Sequence, residues 1–147
     1  MVTGWVADTN VWSEVAKPNG DAAVIDWMLQ RHDRVYMTLV TVAEMRYGVE
    51  RLPAGRRKET LSELVDALVN DVKAKDRLLP ITEKVMRVQA LIRAAQRAAG
   101  ANGPDGREPS FEDALVAAVA RTHGLAVATR NVKDFTHTGI DVVSPWK

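Results

Sequence analysis

Four acidic residues stand at positions where predicted strands end or predicted helices begin. Asp8 follows the first apolar run of the chain, and Glu44 lies in the first turn of the helix expected after the second. Asp113 opens a later, strongly apolar helical segment, and Asp134 follows another short apolar run. Clustered carboxylates repel one another and are costly to bury without a partner, so a bound cation would stabilise them. We therefore predict that these four acids are metal ligands and catalytic groups.

The other residue types limit which ion this would be. The chain has no cysteine, and His32, His123 and His137 share no metal-binding spacing. Oxygen ligands alone favour a hard ion, Mg²⁺ or Mn²⁺, over zinc. Mg²⁺ keeps several waters and takes few carboxylates, which leaves positions for a phosphate oxygen and an attacking water. The acids therefore point to metal-assisted hydrolysis of a phosphate ester.

Each acid also has a purely structural interpretation as part of a helix cap. The candidate caps are, in chain order, Asp8 alone, Thr41 with Glu44, Ser110 with Asp113, and Asn131 with Asp134. Two of the acids, Asp8 and Asp113, adjoin apolar runs and have no Lys or Arg at matched spacing. The occurrence of all four acids at such positions favours a metal site. The alternative is a non-catalytic binding module whose acids only cap helices.

Short apolar runs that alternate with amphipathic segments surround these acids. Strands are predicted over residues 5–7, 35–38, 78–81, 126–128 and 141–143. Helices are predicted over residues 11–16, 21–29, 42–52, 56–75, 82–98 and 110–122, with a Gly- and Pro-rich loop over 99–109. This alternation predicts an α/β fold with a mainly parallel sheet flanked by helices. Such sheets place their functional crevice beyond the carboxyl ends of the strands, so all four acids should lie near that edge.

The composition limits the class of protein. A length of 147 residues with 46% hydrophobic residues fits one domain over residues 1–147. With 20 Lys plus Arg against 19 Asp plus Glu, the net charge of +1 argues against a generic nucleic-acid-binding surface, so any polyanion must be bound locally. The absence of cysteine, of a signal-peptide pattern and of a long apolar segment predicts a cytoplasmic protein.

Four segments of the sequence resemble the PIN-domain family and, within it, the VapC-type toxins. They are Val6-Ala-Asp8-Thr-Asn10, Thr41-Val-Ala-Glu44-Met-Arg-Tyr-Gly48-Val, Phe111-Glu-Asp113-Ala-Leu-Val-Ala-Ala-Val-Ala120 and Val127-Ala-Thr129-Arg-Asn131-Val-Lys-Asp134-Phe135. The segments run in family order across nearly the whole chain. Val116 stands where the family pattern more often has isoleucine, a change that should not affect the chemistry.

The resemblance implies a three-layer PIN-like fold and Mg²⁺- or Mn²⁺-dependent endonucleolytic cleavage of RNA. Asp8, Glu44 and Asp113 match the three core acids of the family, and Asp134 matches its more variable fourth position. The polar residues that match positions beside these acids are Asn10, Thr129 and Asn131. The resemblance also implies a homodimer and a cognate VapB-like antitoxin that covers the site and supplies any contact with operator DNA.

Several cations adjoin the proposed acids and are candidates for binding substrate phosphate. They are Arg46, Arg130, Lys133 and, on the predicted loop, Arg107. An ordinary solvated charge is the alternative for each of them. The run Arg56-Arg57-Lys58 is interpreted as a solvated cluster at a helix N-terminus, and Trp12 as a core or dimer-contact residue, although its ring could instead stack on a base.

Two further classes fit less well. A phosphatase of the haloacid-dehalogenase type would use Asp8 as nucleophile, but it needs a second aspartate where this chain has Asn10. A DNA-binding regulator would show a helix-turn-helix pattern or a basic surface, and the sequence shows neither.

Overall fold

The computed structural model describes residues 2–100 and 108–146 of the chain. Its centre is a five-stranded parallel sheet with the strand order β3-β2-β1-β4-β5. The strands are β1 (Trp5–Ala7), β2 (Val35–Thr38), β3 (Leu78–Leu79), β4 (Ala126–Ala128) and β5 (Val142–Val143). The α/β fold with a mainly parallel sheet, predicted from the sequence, is confirmed.

Six α-helices of the described residues flank this sheet. They are α1 (Thr9–Ala16), α2 (Ala22–Arg31), α3 (Leu39–Glu50), α4 (Arg56–Ala74), α5 (Glu83–Ala98) and α6 (Phe111–Thr122). Short 3-10 helices span His32–Arg34 and Val132–Phe135. None of the helices in the described ranges is long and apolar enough to cross a membrane. Residues 101–107 of the predicted loop, with Arg107 among them, lie outside the described residues.

Neighbouring residues of each strand face opposite helix layers, as the two-residue period of a strand requires. Val6 and Val127 belong to a core formed with α5 and α6, whereas Ala7 and Ala128 belong to a second core formed with α1, α2, α3 and α4. Because both faces of the sheet are buried, its strands are continuous apolar runs. Trp12 is 3% exposed within the second core, so the alternative of base stacking by its ring is wrong.

The small residues of α6 bring its first turn close to the sheet. Residues 114–120 are all buried, and four of these seven are alanine. Helices with small side chains at the contact can pack at shorter interaxial distances. Since α6 leads into β4, which pairs with β1, its N-terminal end is carried to the carboxyl ends of these two central strands.

Helix α3 begins earlier than the sequence predicts. It starts at Leu39 rather than at residue 42, because Thr38 has an extended backbone and its hydroxyl accepts a hydrogen bond from the Thr41 amide (3.4 Å). The predicted capping box of Thr41 and Glu44 is therefore wrong, since Thr38 is the N-cap. As a consequence, Glu44 lies in the second turn of α3 and not in the first.

Two adjacent residues of α5 test how much of the stability depends on the core. Ile92 is 1% exposed and Leu91 is 62% exposed. We expect Ile92→Ala to lower the free energy of unfolding by about 2–5 kcal/mol, because it leaves a cavity. Leu91→Ala should change it by less than about 0.5 kcal/mol. Urea denaturation measures both values, and equal losses would contradict this assignment of the core.

Candidate active site

Asp8 is the residue around which the site is built. It follows β1 directly, and its amide donates a hydrogen bond to the carbonyl of Ala128 on the neighbouring strand (2.8 Å). It is also the N-cap of α1, since its Oδ1 accepts a hydrogen bond from the Thr9 amide (2.9 Å). Its Oδ2 accepts a second one from the Thr129 hydroxyl (2.9 Å). Asp8 is 8% exposed, so two neutral donors fix a nearly buried carboxylate in one orientation.

The buried Thr129 hydroxyl joins the loops that follow β1 and β4. It gives its one proton to Asp8 and accepts hydrogen bonds from the Asn10 side-chain amide (3.3 Å) and the Asn131 backbone amide (3.1 Å). This uses its full hydrogen-bonding capacity. Asn10 completes the link, because its Oδ1 accepts from the Arg130 backbone amide (3.2 Å). Asn10, Thr129 and Asn131 thus lie beside the first acid, and that they also contact substrate stays a prediction.

Glu44 is exposed and reaches the same edge of the sheet from α3. Its Oε1 accepts a hydrogen bond from the Thr9 hydroxyl (2.6 Å). The Thr41 hydroxyl lies 3.0 Å from the same Thr9 oxygen and must be the donor there, because Thr9 has already given its only proton. Sequence reasoning missed Thr9 as a positioning residue; its only signal was a hydroxyl directly after Asp8.

Asp113 lies in the first turn of α6 and is half-buried. Ser110 caps this helix as predicted, since its hydroxyl accepts a hydrogen bond from the Asp113 amide (3.1 Å). Burial raises the pKa of Asp113 to about 7, and the negative charges of Asp8, Asp134 and Glu44 add to that rise. The hydrogen bond with Ser110 opposes it. The four predicted acids are therefore close enough for electrostatic repulsion between them.

Asp134 is exposed on the 3-10 helix, which a buried amide holds in place. Gln96 of α5 is 6% exposed, and its side-chain amide donates to the carbonyls of Asp134 (3.4 Å) and Thr136 (3.1 Å). Burial raises the pKa of Asp8, and the charge of Asp134 adds to that rise.

Asn131 makes no side-chain cap hydrogen bond, so the capped turn predicted for it is wrong. Sequence reasoning missed Gln96, although it is four residues after Ile92 on the buried face of α5.

The four acids form a cluster of like charge without a compensating cation. Within residues 2–100 and 108–146, no ion pair includes any of them. In the same part of the chain, no three His, Cys, Asp or Glu side chains are arranged so that they could hold a metal ion as they stand. The donor set consists of carboxylate oxygens, which suits Mg²⁺ or Mn²⁺. Glu44 and Asp134 are exposed, whereas Asp8 is nearly buried and fixed by two hydrogen bonds.

The cations predicted to bind phosphate differ in their surroundings. Arg46 is paired with Asp66 of α4 and would have to leave that pair to reach a phosphate. The Arg130 guanidinium lies over the Trp146 ring, 5.3 Å from its centroid. Lys133 is exposed next to Asp134. Contact between these cations and substrate stays a prediction.

Comparison with known proteins agrees with the architecture. The sequence model of the PIN domain matches residues 6–140. The VapC ribonuclease Y4jK of Sinorhizobium fredii is 34% identical over 143 residues, covering 97% of each chain. The toxin FitB of Neisseria gonorrhoeae is 36% identical over 141 residues, covering 95% of this chain and 96% of FitB.

Solved structures give the same result. The crystal structure of FitAcB from Neisseria gonorrhoeae contains a chain that is similar to this one with a TM-score of 0.82 and 34% identity, covering 96% of this chain and 97% of that chain. DNA-bound VapBC from Salmonella typhimurium contains a chain with a TM-score of 0.73 at 20% identity, covering 99% of each chain, a likeness that shows the fold alone.

The raised pKa of Asp113 makes the stability of the metal-free protein depend on pH. The folded chain binds this proton with a pKa of about 7, against a reference value of 3.8. Between these values Asp113 binds more protons in the folded state than in the unfolded state, so its contribution to the free energy of unfolding falls as the pH rises from about 4 to about 7. We expect Asp113→Asn, which cannot titrate, to flatten this profile in urea denaturation with EDTA.

A remote acid provides the control for this measurement. Asp26 is exposed on α2, and Asp26→Asn should leave the slope of the wild-type profile unchanged. A profile for Asp113→Asn as steep as that of the wild type would show that this carboxyl does not carry the pH dependence.

Proposed function

Because the chain belongs to the PIN-domain family, we propose that it is a divalent-metal-dependent endoribonuclease and the toxin of a VapBC-type toxin–antitoxin pair. Similarity over 97% of its length to a protein named a VapC ribonuclease supports RNA as the substrate. The observation that carries the proposal of metal dependence is the placement of Asp113, which is half-buried near three other carboxylates and has no ion-pair partner among the described residues. Membership of the PIN-domain family argues against the alternative of a haloacid-dehalogenase-type phosphatase.

The ion, Mg²⁺ or Mn²⁺, would be held by Asp8, Glu44 and Asp113, with Asp134 contributing directly or through water. Such an ion stabilises the charge that develops on the phosphate and activates a water for attack. Asp8 supplies the fixed ligand, because the Thr129 hydroxyl and the Thr9 amide hold both of its oxygens.

The remaining ligands differ in how freely they move. Glu44 is exposed and is oriented by the Thr9 hydroxyl, so it can adjust to the ion while staying next to Asp8. Asp113 holds a proton near neutral pH in the metal-free chain and must release it when the ion binds. Affinity for the ion should therefore fall as the pH drops below about 7.

The relatives also support partners for this chain. Two of the similar structures are of FitAB bound to a DNA fragment and of VapBC bound to DNA. We infer a cognate VapB-like antitoxin that covers the acid cluster, a homodimer of this chain, and contact with operator DNA through the antitoxin only. We also propose that the chain acts in the cytoplasm, where it would meet its RNA substrate.

Substitution of the core acids tests the proposed activity. We expect Asp8→Asn and Asp113→Asn each to reduce Mg²⁺-dependent RNA cleavage by about 100-fold or more, a loss of at least ~2.7 kcal/mol of transition-state stabilisation. Asp134→Asn should cost less, because that side chain is exposed. Cleavage of labelled RNA and circular dichroism, measured together, separate lost activity from lost folding.

Glu112 is the matched control for these variants. It is exposed and adjoins Asp113 on α6, but neighbours on a helix point about 100° apart. Glu112→Gln should keep the wild-type activity. Activity that survives in Asp8→Asn would remove this residue from the mechanism.

Metal binding should also appear in thermal stability. An ion that binds only the folded chain at 100 times its Kd adds about 2.7 kcal/mol to the free energy of unfolding. We expect MgCl₂ to raise the Tm of the wild type above that in NaCl of equal ionic strength, with a smaller rise at pH 6 than at pH 8. Asp113→Asn should lose most of this rise, and an equal rise in both proteins would contradict the assigned ligands.

A further inference from the structure

A cleft of about 370 Å³ opens next to the acid cluster, between α1, α3 and α4. Thr9 and Glu44, whose side chains are hydrogen-bonded to each other, lie in its wall and connect it to the candidate active site. Apolar side chains of α3 and α4 form another part of its surface. Three cations also line it: Lys17, Arg51 and Arg57. The cleft is therefore continuous with the acids but opposite in charge.

Two of the three cations have no partner in the described part of the chain. Lys17 is paired with Glu14 at 2.5 Å. The side chains of Arg51 and Arg57 make no hydrogen bond or ion pair with any described residue, and both residues are exposed. Lys58, the neighbour of Arg57, lies 3.6 Å from a Glu50 carboxylate oxygen. Arg51 and Arg57 are thus the cations of this cleft that are free to bind an anion.

The position of Arg57 argues against a role in stabilising the fold. It lies in the first turn of α4 together with Arg56 and Lys58. The N-terminal end of a helix carries partial positive charge, so cations there are unfavourable. Glu59 in the same turn offsets only part of this charge, and the N-cap, Gly55, has no side chain that could contribute. An anion bound in the cleft would turn the unfavourable cluster into a favourable one.

The spacing along α3 fits a ligand that extends from the acids into the cleft. Glu44, Gly48 and Arg51 lie in the cleft wall at positions i, i+4 and i+7, on one face of the helix. Seven residues correspond to about 10.5 Å along a helix axis. Gly48, between the two charged residues, has open space where a Cβ would lie. No side chain therefore separates Arg51 from the acid cluster along this face.

We propose that this cleft binds the RNA strand next to the bond that is cleaved, with Arg51 and Arg57 each contacting a backbone phosphate. The proposal rests on the proposed ribonuclease function and assigns the substrate path to a place in the fold. Four acids repel a polyanion and the net charge of +1 offers no general attraction, so nearby free cations are needed to hold the strand. Contacts of this kind position the strand without reading its sequence.

Salt dependence of binding tests this path. The probe is a fluorescein-labelled oligouridylate, bound at constant Ca²⁺ instead of Mg²⁺. All four acids then stay intact, and Ca²⁺, with its longer and less regular oxygen coordination, replaces the ion that supports cleavage. Each phosphate contact contributes about 0.7 to the slope of log K against log salt for a single strand. Arg51→Gln and Arg57→Gln together should therefore weaken binding and reduce the slope by about 1.4.

Arg121 is the control variant. It is exposed near the C-terminal end of α6. It lines a pocket with Gly124 and Leu125, which precede β4, whereas the acids lie near the carboxyl ends of the strands. Arg121→Gln should leave the affinity and the slope unchanged. In the otherwise wild-type chain, the double variant should raise KM for RNA cleavage more than it lowers kcat, because the acids remain intact.

The possible results separate this inference from the proposed function. If the wild type cleaves RNA and the double variant keeps the full salt slope, the path inference is wrong and the ribonuclease assignment stands. If the double variant keeps RNA binding but loses binding of oligoglutamate, the cleft binds an acidic peptide and the inference is again wrong. If the wild type neither binds nor cleaves RNA, both proposals fail.

Discussion

Burial of one carboxylate at the end of the central strand is the constraint on which the site depends. β1 lies between β2 and β4, so Asp8 leaves the sheet in the middle of its carboxyl edge. A carboxylate in that position needs donors on each oxygen, because an unsatisfied buried charge is costly. Thr129 and the Thr9 amide provide them. The loops after β1 and β4 are therefore tied to one another through the first acid.

The other acids are brought to Asp8 at a cost in stability. The alanine-rich face of α6 lets its first turn pack close to the sheet, which places Asp113 in the field of three carboxylates. Neutralising one of these acids would favour the metal-free fold, because it removes repulsion. Residues that lower the stability of a fold, as these acids do, are typical of functional sites. The same repulsion would favour binding of the divalent cation that we propose for this site.

The sequence predicted the fold and the acids well because both depend on strong local patterns. Apolar runs fixed the strands, and the family motifs fixed Asp8, Glu44, Asp113 and Asp134. Their roles as ligands and catalysts stay predictions. The predicted start of α3 was wrong because Thr38 and Thr41 are residues of the same type and could both cap a helix. Only the extended backbone of Thr38 decides between them.

Contacts between distant segments could not be predicted from one sequence. The bonds from Gln96 to the loop of Asp134 join residues 38 and 40 positions apart, and the pairing of Arg46 with Asp66 joins two helices. Nothing in the local pattern around either residue specifies its partner. Arg57 is exposed at the N-terminus of α4, as predicted, but its place in the cleft depends on the packing of α3 and α4, which no local pattern specifies.

The arrangement of charge also implies that metal and RNA bind cooperatively. The acid cluster repels a phosphate, while in the proposed path Arg51 would attract the strand from the same face of α3. An ion in the proposed site would therefore raise the affinity for RNA, and by thermodynamic linkage bound RNA would raise the affinity for the ion by the same factor. A chain with a net charge of +1 can in this way bind a polyanion only where the acids are neutralised.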